Sequence, residues 1–334
     1  MVVAAHTKHT FDFPEKLDVY FKWLFDGDLG VRTFFIISGL LITWLLLNEE
    51  KAKGSISLKK FYIRRVLRIW PVYYAFLFVL LLLQLFASYH QDLSVWIGNM
   101  VFMTNYFGAK WTSGHLWSLA VEEQFYFIWP LLLVFVKKKR KLLVLLFVPL
   151  CIAPVSRVIT YLQPSAFPWK TIFCGYSFFN YWDSIAVGCL AALILFHKKT
   201  IIEKYLKTLV LISPFLIFVP YILSKLFLLG HFTVSVGPLL QAVGICSLIL
   251  HSLTNTKLVI YKALNYPVCV GIGTLSYSIY IWQMIFCTKP TDLGFNGSFL
   301  FSWKTWFIPV LLFAIISYNF FEKPFLRLRK KFQS

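Results

Sequence analysis

Long apolar stretches separated by short polar segments run the whole length of the chain. A helix needs roughly 20 predominantly apolar residues to cross the hydrocarbon core of a bilayer. Nine stretches are read as such helices: Phe34–Leu47, Trp70–Phe86, Ala120–Val136, Leu142–Ile159, Phe178–Phe196, Leu209–Leu223, Val234–Leu253, Val268–Cys287 and Trp306–Phe321. Between the second and third lies Val95–Phe107, too short to span and expected to be interfacial or folded back.

Composition removes the soluble alternatives. The 334 residues are 59% hydrophobic and 14% charged, with a mean hydropathy of +0.71. A soluble domain is nearer half apolar and a quarter charged, so much of this surface has lipid as its solvent. The net charge of +19 raises nucleic acid as a partner, but the placement of the charges argues instead for topology. If residues 48–68 face the cytoplasm, alternation puts 23 Lys and Arg on that side and 10 on the other. This bias is the positive-inside pattern. It places the C-terminus inside and residues 8–32 outside. A helix should then precede residue 8, yet only Met1–His6 is present. The expectation is one domain over residues 1–334, an all-α polytopic membrane bundle of about ten helices with the first one truncated.

The six cysteines, Cys151, Cys174, Cys189, Cys246, Cys269 and Cys287, form no C-x-x-C pair and sit mostly in apolar runs. They read as small apolar packing residues, and no metal site is expected.

Ionisable groups at membrane depth are costly and usually functional. The richest stretch is SGHLWSLAVEEQFYFIWP, Ser113–Pro130. On a helix His115, Ser118, Glu122 and Phe125 share one face, which carries an imidazole, a hydroxyl and a carboxylate into an apolar run. Such a carboxylate could hold a His in one tautomer or act as a base; the alternative, that Glu122 and Glu123 mark the water interface, weighs more on Glu123 than on Glu122, for which function is favoured. A second stretch, LKKFYIRRVLRIWP, repeats Lys60, Arg64 and Arg68 at four-residue spacing, with Arg65 beside them. Guanidinium forks bind phosphate bidentately, so the stripe suits a phosphate-rich cytosolic donor; anionic lipid headgroups would attract it too. His6, His9 and His115 fall near the expected outer mouth, and Asp183 near the outer end of its helix could pair with an arginine.

Read in order, these stretches resemble the membrane acyltransferase-3 family, which includes O-antigen and other surface-polysaccharide O-acetyltransferases. GVRTFFIISGLLIT, GSISLKKFYIRRVLRIWPVYY, SGHLWSLAVEEQFYFIWPLLL, DSIAVGCLAALI, LSYSIYIW and FFEKPF carry the likeness over essentially the whole chain. The resemblance implies roles. His6 matches the family's leading catalytic histidine, whose companion Arg would lie before Met1, again as in a truncated first helix. Glu122 matches its functionally important Glu, and Arg65 and Arg68 its paired arginines at the acyl-donor coenzyme. Gln283 stands where many relatives carry His. The implied reaction moves an acyl group, acetyl above all, from cytosolic acyl-CoA to a hydroxyl of a cell-surface glycan or glycolipid. His6 would take the proton, Glu122 would orient or balance the site, and Trp117 and Ser118 are candidate oxyanion donors. Acyl-CoA is a co-substrate, the lipid bilayer is the other partner, and a bacterial cytoplasmic membrane is the expected location. The alternative class is a proton-coupled transporter or flippase, because buried Glu, Asp and His suit carriers as well.

Overall fold

The computed structural model describes residues 1–136, 139–162, 175–295 and 299–332. In lipid every backbone amide must be satisfied within the segment, and an α-helix does this. The fold is an all-α polytopic bundle, and nine helices among the described residues are long and apolar enough to cross a membrane. They are the nine that the apolar pattern predicts. Large apolar side chains such as Phe78, Leu85, Phe86, Phe135 and Leu211 stay exposed on their surfaces, as lipid-facing positions require.

After the short α1 (Val2–His6) and α2 (Glu15–Leu24) come α3 (Gly27–Lys53), α4 (Leu58–Phe86) and α5 (Leu93–Met100). Then follow α6 (Leu116–Phe135), α7 (Lys139–Leu162), α8 (Phe178–His197), α9 (Lys199–Lys225) and α10 (Gly237–Thr254). Last are α11 (Pro267–Phe286), α12 (Phe307–Ser317), a π-helical turn at Tyr318–Glu322, and α13 (Lys323–Lys330). The stretch predicted not to span is indeed short: α5 has 8 residues, roughly 12 Å at 1.5 Å per residue. Tyr73 and Tyr74 of α4 donate to its last carbonyls, Asn99 at 2.7 Å and Met100 at 2.9 Å. Cys189, Cys246 and Cys287 are buried thiols as expected, whereas Cys151 and Cys269 are exposed on their helices; Cys174 and residues 137–138 lie outside the described residues.

The chain groups into two compact units. The first comprises Met1–Gly27, Ser57–Leu119 and Asn265–Ser334. Here α11 lies against α12 and α4, α13 lies along α4, and α1 rests on α11. The N-terminal segment is tied down by Phe11, whose N–H donates to Phe301 at 2.9 Å and whose carbonyl accepts from Trp303 at 3.0 Å.

The second unit comprises Asp28–Ile56 and Ala120–Leu264. Its core gathers Ile36, Leu40, Val187, Ala192, Ile245 and their neighbours. Lipid gives little hydrophobic drive for helices to associate, so close backbone approach through small residues takes its place. Gly39 of α3 faces the backbone of Ile185, and Gly188 of α8 faces that of Ile36; a Cβ at either would overlap a carbonyl oxygen. Trp129 of α6 donates to Thr43 Oγ1 at 2.8 Å.

Candidate functional site

In the first unit His6 ends α1 and meets α11. Its Nδ1 lies 3.3 Å from Gln283 Oε1. Gln283 is fully buried, and its amide nitrogen donates to the Tyr280 carbonyl at 3.2 Å. A carbonyl accepts only, so this bond fixes which way the amide points. The oxygen is left for His6, whose Nδ1 must therefore carry the proton, and Nε2 keeps its lone pair. His6 precedes the first spanning helix. Burial lowers its pKa below the ordinary 6.5, the Gln283 bond partly offsetting this, so the imidazole is neutral at neutral pH. Trp111 walls the site: its ring meets His6 edge-on at 5.9 Å and His9 at 4.2 Å. Its Nε1 is held by the Cys287 carbonyl at 2.7 Å.

His115 is buried in the same unit. The uniform helix expected through His115 and Ser118 is not what forms. A four-residue turn, Trp111–Gly114, ends at His115, and α6 starts at Leu116. The His115 carbonyl accepts from Ser118 N at 3.3 Å and from the Tyr280 hydroxyl at 2.8 Å, so the chain tightens to i→i+3 bonding there. His115 Nε2–H donates to the Ile281 carbonyl at 3.1 Å, and its Nδ1 has no partner among the described residues. Ser118 Oγ is taken up by the Tyr280 hydroxyl at 2.5 Å, which argues against it as an oxyanion donor. Trp117 is half-buried.

Glu122 belongs to the second unit and is 2% exposed, whereas Glu123 is half-buried. Its Oε1 accepts from the Ser38 hydroxyl of α3 and from Tyr126 at 2.6 Å. These two bonds hold the Glu122 side chain against α3 and its own helix rather than at a water interface. Asp183, also buried, receives Arg157 Nη2 at 2.7 Å. Arg157 further donates to the carbonyls of Asn180 at 2.7 Å and Ser235 at 2.6 Å. This pair ties α7 to α8 with every polar atom of the contact engaged, a structural use of Asp183.

The arginines lie within about the first three turns of α4. Ser57 caps that helix by accepting from Lys60 N at 3.4 Å. Arg64 Nη1 donates to the Phe332 carbonyl at 3.0 Å, Arg65 lies over the Phe61 ring at 5.5 Å, and Arg68 is exposed.

The acyltransferase domain of the acyltransferase-3 family matches residues 1–319. The chain belongs to this family. It is similar to the peptidoglycan O-acetyltransferase of Listeria monocytogenes, at 29% identity over 82% of this chain and 47% of that protein. A Bacillus subtilis protein provisionally named a peptidoglycan O-acetyltransferase is 27% identical over 91% of this chain and 51% of its own. A Staphylococcus aureus (strain COL) protein provisionally named an O-acetyltransferase is 29% identical over 91% of this chain and 53% of its own. The chain thus spans about half the length of the curated relatives it matches. No solved structure matches it.

The family landmarks contain residues whose use the sequence does not announce. Ser38 sits in GVRTFFIISGLLIT and Tyr126 four positions after Glu122; a polar side chain inside an apolar run was the available signal for both. Tyr280, in LSYSIYIW, braces the turn at His115. Arg32 and Arg157, counted with outer segments by the charge bias, are buried inside helices.

Proposed function

We propose that this chain is a membrane O-acyltransferase that moves an acetyl group from acyl-CoA to a hydroxyl of a cell-envelope glycan, with peptidoglycan as the acceptor. The observation that carries the reading is the His6–Gln283–Tyr280 chain, which presents a neutral imidazole with Nε2 available as a base. An alcohol is a weak nucleophile near neutral pH, and a positioned base raises its reactivity. As the acceptor oxygen bonds to the thioester carbonyl carbon, its proton passes to His6 Nε2. The carbon–sulfur bond then breaks, and His6 returns the proton to the departing coenzyme thiolate. Arg64, Arg65 and Arg68, in the same unit as His6, are assigned to the coenzyme's phosphates. The charge bias puts these arginines and the C-terminus on the cytosolic side, where acyl-CoA is made. Glu122 is assigned a supporting role in the second unit, its side chain fixed by Ser38 and Tyr126.

The names of the relatives and the family's acyltransferase domain favour acyl transfer over the carrier alternative. The experiment is transfer by the purified full chain in liposomes, given acetyl-labelled acetyl-CoA and peptidoglycan fragments. Base-labile label on the glycan is expected. Label that stays on coenzyme A or is released as free acetate, in a preparation that binds acetyl-CoA, would overturn the reading.

A further inference from the structure

The C-terminal end of the first unit has features that the proposed chemistry leaves unused. The turn Tyr318–Glu322 is π-helical, an irregularity frequent at functional sites. It turns Glu322 inward, 4% exposed, between the exposed Phe321 and Lys323. A carboxylate buried this far must be bonded or paired. Ser278 of α11 donates to its Oε2 at 3.1 Å, and Arg68 supplies the neighbouring positive charge.

Beyond this turn α13 lies along α4. The bond from Arg64 to the Phe332 carbonyl fixes the register of the tail against the basic stripe. In that register Arg329, half-buried, feels the charges of Arg64, Arg65 and Arg68 together. Arg327 and Lys330 on the same helix are exposed. A general excess of positive charge on one side of the membrane accounts for those two. It does not account for folding a fourth guanidinium back onto three others, because like charges brought together repel. Glu322 offsets part of the Arg68 charge, but among the described residues no carboxylate lies within ion-pair distance of Arg68 or Arg329. An arrangement of this kind is stabilised by an anion with several charges, and guanidinium forks match phosphate oxygens.

We propose that Arg329 is a fourth binding residue for a polyphosphate ligand, completing with Arg64, Arg65 and Arg68 a site that the Glu322 turn and the Arg64–Phe332 bond position. The identity of the ligand rests on the acyl-CoA reading, since coenzyme A carries a diphosphate and a third phosphate; its class does not.

The test is equilibrium binding of coenzyme A, pyrophosphate and phosphatidylglycerol nanodiscs or vesicles to the full chain, wild type against Arg329→Gln and Arg327→Gln. Loss of one charge-assisted contact should weaken coenzyme A and pyrophosphate by about tenfold in Arg329→Gln, with Arg327→Gln close to wild type. Arg329→Lys, which keeps the charge without the fork, should fall between and shows whether the glutamine variant has merely misfolded. Equal effects of the 327 and 329 variants, or none, would overturn the proposal. So would weakened association with phosphatidylglycerol at unchanged coenzyme A and pyrophosphate binding, which would make the tail a lipid anchor. If wild type binds pyrophosphate through Arg329 but not coenzyme A, the site stands and the acyl-CoA reading falls.

Discussion

Gln283 Oε1 accepts from His6 Nδ1 at 3.3 Å across 277 positions of sequence, and this one bond decides which nitrogen of the imidazole can work as a base. The neutral amide sets the tautomer without adding charge, while burial holds the His6 pKa below 6.5. Activity that needs neutral His6 is therefore complete at neutral pH and is lost as pH falls through that lowered pKa. Gln283→Glu keeps the side chain's length, gives up the bond to the Tyr280 carbonyl and places a carboxylate beside the imidazole. An opposite charge stabilises the imidazolium, so the acid limb of kcat/KM should move to higher pH by about one unit. An unmoved limb in a variant that is still active would mean that His6 is not the titrating group.

The second unit makes its own claim. Glu122 is buried and bonded to Ser38 and Tyr126, whereas Glu123 lies on the half-buried side of α6. Glu122→Gln should abolish transfer and Glu123→Gln should be tolerated, measured as turnover at equal amounts of inserted protein. Comparable losses in both variants would remove the distinction drawn from the helical face.

Arg65 and Arg68 are assigned to binding rather than to chemistry. Replacing both with Ala should raise the KM for acyl-CoA by roughly tenfold or more while the KM for the glycan acceptor stays near wild type. Unchanged acyl-CoA affinity would return the stripe to lipid attraction and topology.

The approach of α3 to α8 depends on Gly39 and Gly188, where a Cβ would meet a carbonyl oxygen of the facing helix. Gly39→Ala and Gly188→Ala should each destabilise the fold by roughly 1–3 kcal/mol, the usual cost of overpacking, read as a lower Tm in detergent. An unchanged Tm in both would show that the helices separate at little cost.

How much of this was legible in the sequence follows from the physics of each part. The spanning helices could be read directly because lipid leaves an apolar run few alternatives. Glu122 and the α4 arginines stood out as ionisable groups entering apolar runs, where such groups are expensive, and His6 stood out through the family resemblance. Their partners did not: Ser38 meets Glu122 across 84 positions and Ser278 meets Glu322 across 44, and local spacing carries no information at that range. Gln283 stood out only as the residue where many relatives carry His, able to hydrogen-bond but not to titrate, and its use as a fixed acceptor depends on the Tyr280 carbonyl. Arg157 was counted with an outer segment because charge bias locates positive residues but cannot see a buried carboxylate waiting for one. The tightened turn at His115 escaped for a related reason, since its extra donor comes from Tyr280, 165 positions away.

The base assigned to His6 is the centre of the account, and His6→Ala tests it most directly. The measurement is acetyl transfer from labelled acetyl-CoA to peptidoglycan fragments, by wild type and variant inserted in equal amounts. The expected result is a loss of about 10²–10⁴-fold in turnover, typical of general acid–base catalysis, with acetyl-CoA affinity kept. Full turnover by His6→Ala would contradict it.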